Sequence, residues 1–308
     1  MCNMNINKKM ASPAPSNNSD LSTLKNWNTV AAIVHAVAAI AVINVLKNDS
    51  TSADKRKVQM TRLAFDPTAP PNQSRVDVPV KLEDDTKVDL KPLIVSFLII
   101  TSVFHGLYAT DVFGTKLYSN AVLGFGWNPF RWIEYSLSAG VMIYLISAVS
   151  GTKDNISAFA AALITPGLMI NGLTAERALH QNELANWSRG LQDLKPPVDN
   201  TIILSNFIPA WFLFFVKWYI ILGNYSKLVK QAKEQNKPID PSVTFMVFSQ
   251  LGFFSLFGII QSYQVFRFYR AKKGFFEPYF ISYEKAYIVL SATAKFALAA
   301  TVAYALRN

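Results

Sequence analysis

The chain has 308 residues, 51% hydrophobic and 16% charged, with 30 Lys and Arg against 20 Asp and Glu for a net charge of +10. Soluble domains carry about 25% charge, and here the apolar residues gather in long blocks between short polar stretches, which excludes a water-soluble globule and makes a bilayer the solvent. The positive surplus falls in loops and at the ends of the apolar blocks, not on one soluble face, which argues against a nucleic-acid partner.

The first twenty residues, 1–20 (MCNMNINKKMASPAPSNNSD), are polar and lack the apolar region of a secretory signal. They read as a disordered leader, with the first apolar block directing insertion and 21–308 forming one membrane domain. Cys2 is the single cysteine, so neither a disulfide framework nor a thiolate metal cluster is expected. A helix needs about twenty apolar residues to span a bilayer. Seven blocks qualify, at 27–46, 92–113, 128–150, 156–179, 201–222, 243–266 and 284–306. Asn48 to Ser52, Gly114, Trp127-Asn128-Pro129, Gly151, Lys195-Pro196-Pro197, Pro238 to Pro241 and Glu277-Pro278 punctuate them. The expected fold class is an all-α membrane protein, a seven-transmembrane-helix bundle without internal repeats.

The longest connection, 48–90, holds seven Lys or Arg and eight Asp or Glu. Val76, Val78 and Val80 alternate there and face an earlier apolar run, Met60 to Phe65. This predicts a two-stranded β-ribbon, with Pro67, Pro70, Pro71 and Pro79 limiting the pairing. Counting Lys and Arg in this loop and in 223–242 puts that side in the cytoplasm and the N-terminus outside, while Arg267, Arg270, Lys272 and Lys273 pull the other way.

An ionisable group in the bilayer costs about 2.5–3.5 kcal/mol on insertion scales, which makes each one a functional candidate. Lys295 lies at the middle of the last block, with no acidic residue from Ala286 to Leu306. It is either a salt-bridged lysine or a desolvated, nucleophilic amine able to form a Schiff base with an aldehyde. Glu134, one to two turns inside the third block, is the matching carboxylate. The third and seventh helices of an up-and-down bundle run parallel, and lysine's stem leans toward its helix N-terminus, which brings the two groups to one depth. Arg131, Glu134 and Ser138 share a face at i, i+3, i+7, as do Ser291 and Lys295 at i, i+4. His35 and His105 fall in the same half of the membrane, with Asn28 two turns before His35. Either histidine alone reads as a hydrogen-bonded structural group; with Glu134 they outline a polar cavity where a proton can be held. The fifth and sixth blocks carry aromatic stripes, Trp211, Phe212, Phe215 and Trp218, then Phe253, Phe254 and Phe257 with Gln261. Such stripes ordinarily face lipid or pack, although a rod-like polyene tethered at Lys295 needs walls of this kind.

A lysine midway along the last of seven helices, with its acid on the third, resembles the microbial-type retinal proteins. The run RWIEYSLSA (Arg131 to Ala139), the run SATAK (Ser291 to Lys295), WN followed by His35, FHGLY (Phe104 to Tyr108) and the long first loop resemble the heliorhodopsin family more closely. Pumps of the ordinary type carry a second carboxylate four residues before the lysine, where this chain has Ser291. They often carry a proton donor eleven residues after the counterion, where it has Leu145. The resemblance implies all-trans-retinal bound covalently to Lys295, Glu134 as counterion, and Ser138 and Ser291 as hydrogen-bonding neighbours of the Schiff base. It further implies that Asn28, His35, His105 and Arg131 line the polar cavity, and that Phe254, Gln261, Trp211 and Met169 border the retinal. It also implies a cytoplasmic N-terminus, opposite to the loop count, an extracellular ribbon and a homodimer in the cell membrane.

The function expected on these grounds is a photoreceptor with a slow photocycle and internal proton transfer, signalling to an unidentified partner protein. The alternative is light-gated or light-driven proton transport, disfavoured because Val141 to Val149 and Phe296 to Leu306 are almost wholly apolar. A retinal-free receptor or carrier is the third reading. No nucleophile-base-orienter set or metal-ligand cluster points to an enzyme.

Overall fold

In a bilayer an α-helix satisfies every backbone amide within its own segment, so the apolar blocks have one regular conformation open to them. The computed structural model describes residues 18–46, 56–65, 80–124, 127–188, 200–270 and 276–307. It forms helices α1 (Asn18–Val45), α2 (Leu90–Ala109), α3 (Pro129–Val149), α4 (Asn155–Ser188), α5 (Asn200–Glu234), α6 (Pro241–Arg270) and α7 (Phe276–Arg307). All seven are long and apolar enough to cross a membrane. Consecutive helices pack on one another and α1 also packs on α7, which closes the ring. Outward-facing residues such as Val30, Ile33, Val37 and Ile40 of α1, or Phe212, Phe215 and Tyr219 of α5, are exposed. They present the apolar belt a bilayer requires. Inside, Phe97, Ile143, Leu145, Ile146, Leu298 and Ala299 belong to one continuous core.

The helix ends differ from the apolar blocks in instructive ways. α1 begins at Asn18, inside the expected 1–20 leader, and α5 runs on to Glu234, twelve residues past its apolar block. Helix propensity carries the polar sequence SKLVKQAKE onward without a lipid contact. Span two was expected to reach residue 113, but α2 stops at Ala109. Asp111, Val112 and Phe113 have φ of 54°, 50° and 58°, followed by Gly114 at 82°. A left-handed run of non-glycine residues is costly. Here the Asp111 carboxylate anchors it, accepting from the Ser119 amide (2.8 Å) and the Ser119 hydroxyl. Pro166 and Pro209 lie within α4 and α5 without ending them.

The first loop does form an antiparallel ribbon, but with a different partner strand. β1 (Lys57–Phe65) pairs with β2 (Val80–Asp89), joining Val58 to Val88 and Leu63 to Leu82, with a bulge between Gln59 and Thr61. Val76 and Val78, expected in the second strand, lie outside the described residues. β2 reads VKLEDDTKVD, a charged strand whose alternation is masked by its acids. The bulged Met60 is fully buried and clusters with Ala148 and Ala158, while the Thr61 amide donates to the Lys153 carbonyl at 2.8 Å. The ribbon is thereby fastened to the α3–α4 turn, at the end of the bundle opposite Glu134.

Gly172 sits where α3, α4 and α6 meet. A Cβ there would overlap the Trp132 ring, and the Gly172 carbonyl accepts from Gln261 Nε2 at 3.1 Å. Gly172→Ala is therefore expected to cost about 1–3 kcal/mol by overpacking. Gly106→Ala, on an open face of α2, should be neutral or stabilising by up to about 1 kcal/mol. Thermal unfolding of both variants in detergent checks the contrast.

Candidate functional site: a buried lysine and carboxylate beside an aromatic cavity

Lys295 and Glu134 meet as their spacing predicts. Lys295 Nζ lies 3.1 Å from Glu134 Oε1 and donates to Ser291 Oγ at 2.6 Å, with both charged side chains almost completely enclosed. The Tyr135 ring stands 5.2 Å from the same nitrogen. In a low-dielectric interior this proximity offsets the desolvation of both charges, and Ser291 takes one of the remaining N–H groups. Ser138 is fully buried one turn beyond Glu134, and its hydroxyl has no hydrogen-bond partner among the described residues. Of the two serines expected beside the amine, Ser291 alone bonds to it.

Lys295 opens onto a cavity between α3, α4, α5, α6 and α7. Phe254, Gln261, Trp211 and Met169, the four expected pocket residues, all line it. The aromatic stripes divide by face. Phe212 and Phe215 point outward, while Trp211, Phe214, Phe254 and Phe257 turn in. The absence of a side chain at Gly258 makes room for one wall, since a Cβ there would overlap the Trp211 indole.

The polar half assembles from α1 and α2. His105 Nδ1 is 2.7 Å from Asn28 Oδ1, and Asn28 Nδ2 donates to the Leu24 carbonyl (2.9 Å) and the Tyr118 hydroxyl (3.2 Å). His35 Nδ1 is 2.7 Å from the Ala31 carbonyl, and the two imidazoles stack with centroids 5.7 Å apart. Both Nδ1 atoms face acceptors, so each neutral ring carries its proton there and leaves Nε2 bare. Neither Nε2 has a hydrogen-bond partner among the described residues. Two proton-accepting nitrogens thus stand together in the buried interior. Toward the helix ends, Tyr118 stacks on Tyr108, and Asp111 pairs with Lys25 at 3.0 Å. Burial alone would raise the Asp111 carboxyl, but the Ser119 hydroxyl and amide and the Lys25 ammonium outweigh it and hold it below the usual carboxylate range.

Arg131, expected to line the histidine cavity, directs its guanidinium to ion pairs with Glu176 of α4 (2.6 Å) and Glu284 of α7, and lies 4.3 Å from the Tyr287 ring centroid. Trp132 Nε1 donates to Glu176 Oε2 at 2.6 Å, and Asn128 Nδ2 to Glu284 at 3.1 Å. Glu176 and Glu284 sit near the ends of apolar blocks, where charge is ordinary, so neither was singled out. Two acids within a turn or two of the same membrane face as an inward-pointing arginine are the signal that could have found them. Lys217 of α5 was also missed. It is fully buried and lines the cavity, hidden in the aromatic run WFLFFVKWYII.

Seven membrane-crossing helices with a buried lysine on the last, its carboxylate on the third and an aromatic cavity between them define a rhodopsin-type protein. A family model described as Heliorhodopsin matches residues 24–305, nearly the whole chain, and the protein belongs to that family. It is a retinal-binding, rhodopsin-type photoreceptor and a multi-pass membrane protein. No curated protein matches the chain.

Truncating Arg131 strands two buried carboxylates. Arg131→Met is expected to cost about 3–5 kcal/mol, the penalty of breaking a buried ion pair from one side, and adding Glu176→Gln and Glu284→Gln should recover most of it. Unfolding midpoints of the single and triple variants provide the check.

Proposed function

We propose that Lys295 is the retinal attachment site, Glu134 its counterion and Ser291 its hydrogen-bonding neighbour. The observation that carries this reading is the Lys295 amine held between Glu134 and Ser291 at the wall of an aromatic cavity. The residues fit the group: an amine to condense with an aldehyde, a carboxylate for the resulting cation, and apolar walls for a polyene. When bound, retinal supplies a light-driven isomerisation about a polyene joined to Lys295 through a protonated Schiff base.

The chain's own groups do the rest. Glu134 Oε1 balances the positive charge at Lys295 Nζ and is the first acceptor for the proton that leaves it. His35 Nε2 and His105 Nε2 offer further acceptors in the same half of the membrane, with Asn28 fixing the His105 ring. Beyond Lys295, Ile143, Leu145, Ile146, Leu298 and Val302 form a mainly aliphatic barrier interrupted by the buried Ser147 hydroxyl, with no titratable side chain among them. A proton taken up on the histidine side therefore returns by the way it came, which suits a slow photocycle with internal proton transfer. The output of such a cycle is a shift between conformations, read by a partner protein. The family's character supports a cytoplasmic N-terminus, an extracellular ribbon and a homodimer joined through the ribbon and middle helices.

Light-induced pH change and photocurrent, recorded from retinal-supplemented cells, separate this from transport. Pigment and a slow photocycle without current are expected, and both should vanish in Lys295→Ala. A retinal-dependent current would make the protein a proton conductor. Glu134→Gln should move the absorption maximum to longer wavelength, because the carboxylate stabilises the ground state, whose charge sits beside Lys295 Nζ, more than the excited state. An unchanged spectrum would remove Glu134 as counterion.

A further inference from the structure

Lys217 is a second buried amine on the same cavity, and nothing in the photoreceptor reading uses it. It lies on α5, whereas Lys295 lies on α7, with α6 between them in the ring. Its side chain is fully buried, and among the described residues its Nζ has no hydrogen-bond partner and no acid in ion-pair range. Its nearest polar compensation is aromatic: Nζ stands 4.9 Å from the Phe254 centroid and 5.9 Å from that of Phe214. Ring faces recover part of the desolvation of an amine, but its N–H groups keep their hydrogen-bonding capacity unspent, which is expensive in a buried site. Phe214 and Phe254 line the cavity, as Lys217 itself does. The residue is therefore placed at the part of the wall where the aromatic side chains of α5 and α6 converge, while Ser291 and Lys295 mark the attachment wall.

We propose that Lys217 is a specificity-determining residue that recognises an oxygen on the ring of the chromophore, so that the cavity takes a ring-oxygenated retinal, carrying a ketone or hydroxyl, in preference to unsubstituted retinal. This rests on attachment at Lys295. An aldehyde chain fixed at α7 would extend away from that helix across the cavity, and Lys217, with Phe214 and Phe254, would meet its distal part. Lysine has N–H to donate whether it is charged or neutral, so a ring carbonyl or hydroxyl oxygen is its complement in either state. An all-carbon ring leaves the amine unpaired. A site with a buried donor discriminates strongly against the analogue that lacks the acceptor.

The test is a competition. Wild type and Lys217→Met membranes are given equal amounts of all-trans-retinal and all-trans-retinal bearing a ring ketone, and the bound chromophores are extracted and quantified. Wild type should favour the ketone about tenfold more than Lys217→Met does, the factor one good hydrogen bond supplies. Equal ratios in the two proteins would overturn the proposal. Should Lys217→Met form no pigment, the ring-carbonyl stretch of the analogue bound to wild type decides. A shift to lower wavenumber relative to the analogue in an apolar solvent supports a bond from Lys217 when Lys217→Gln retains it and Lys217→Leu removes it, and an unshifted band overturns it. Failure of attachment at Lys295 reads differently, since then neither aldehyde gives a pigment that Lys295→Ala abolishes.

Discussion

A charge inside a bilayer has to be matched or it will not stay there, and the pairing of Lys295 with Glu134 is the contact on which the architecture turns. Each group alone costs several kcal/mol to bury; at 3.1 Å each makes the other tolerable. The pairing joins α3 and α7 across the interior although they are not adjacent in the ring, with Lys295 Nζ leaning back toward Ser291. The aromatic cavity then has a chemically active wall, and the polar half has a reason to face it. Arg131, with Glu176 and Glu284, repeats the principle nearer the helix ends and ties α3 to α4 and α7.

The two halves of the bundle are chemically unlike, and the difference shapes how the protein works. On one side stand the stacked histidines with bare Nε2 atoms, the amide of Asn28 and the paired tyrosines. On the other lie Ile143, Ile146, Leu298 and Val302, capped by the ribbon through Met60 and Thr61. One half offers proton-accepting nitrogens and the other is mainly aliphatic, and the proposed preference for conformational signalling over net transport rests on that asymmetry.

Much of this was legible in the sequence because bilayers make charges conspicuous. Lys295 in the middle of an apolar helix and Glu134 on a face with Ser138 announced themselves through their cost or spacing, whereas Phe254 and Gln261 were placed at the cavity by the family resemblance. Where the reading failed, ordinary chemistry concealed the signal. Glu176 and Glu284 sit where helix ends meet water, and Lys217 hides in an aromatic run resembling a lipid-facing stripe. Arg131 shares the face of Glu134, yet its long stem reaches Glu176 and Glu284 instead of the histidines, a choice that side-chain length makes and spacing does not reveal. The end of α2 rests on Asp111 bonding to Ser119, eight residues away in the short helical turn Leu117–Ser119, and the charged β2 strand carries no apolar alternation strong enough to fix its register.

The Lys295–Glu134 contact also sets a timetable for making the protein. The two residues are 161 positions apart. At synthesis rates of about 5–20 residues per second, Glu134 leaves the ribosome on the order of ten seconds before its lysine exists. During that interval α3 to α6 have to occupy the membrane around a carboxylate with no cation of α7 beside it. The last helix is thus the closing piece of assembly, and a chain cut short before Lys295 would lose more than the proposed chromophore anchor. It would present quality-control proteases with a bundle whose central acid has never been answered.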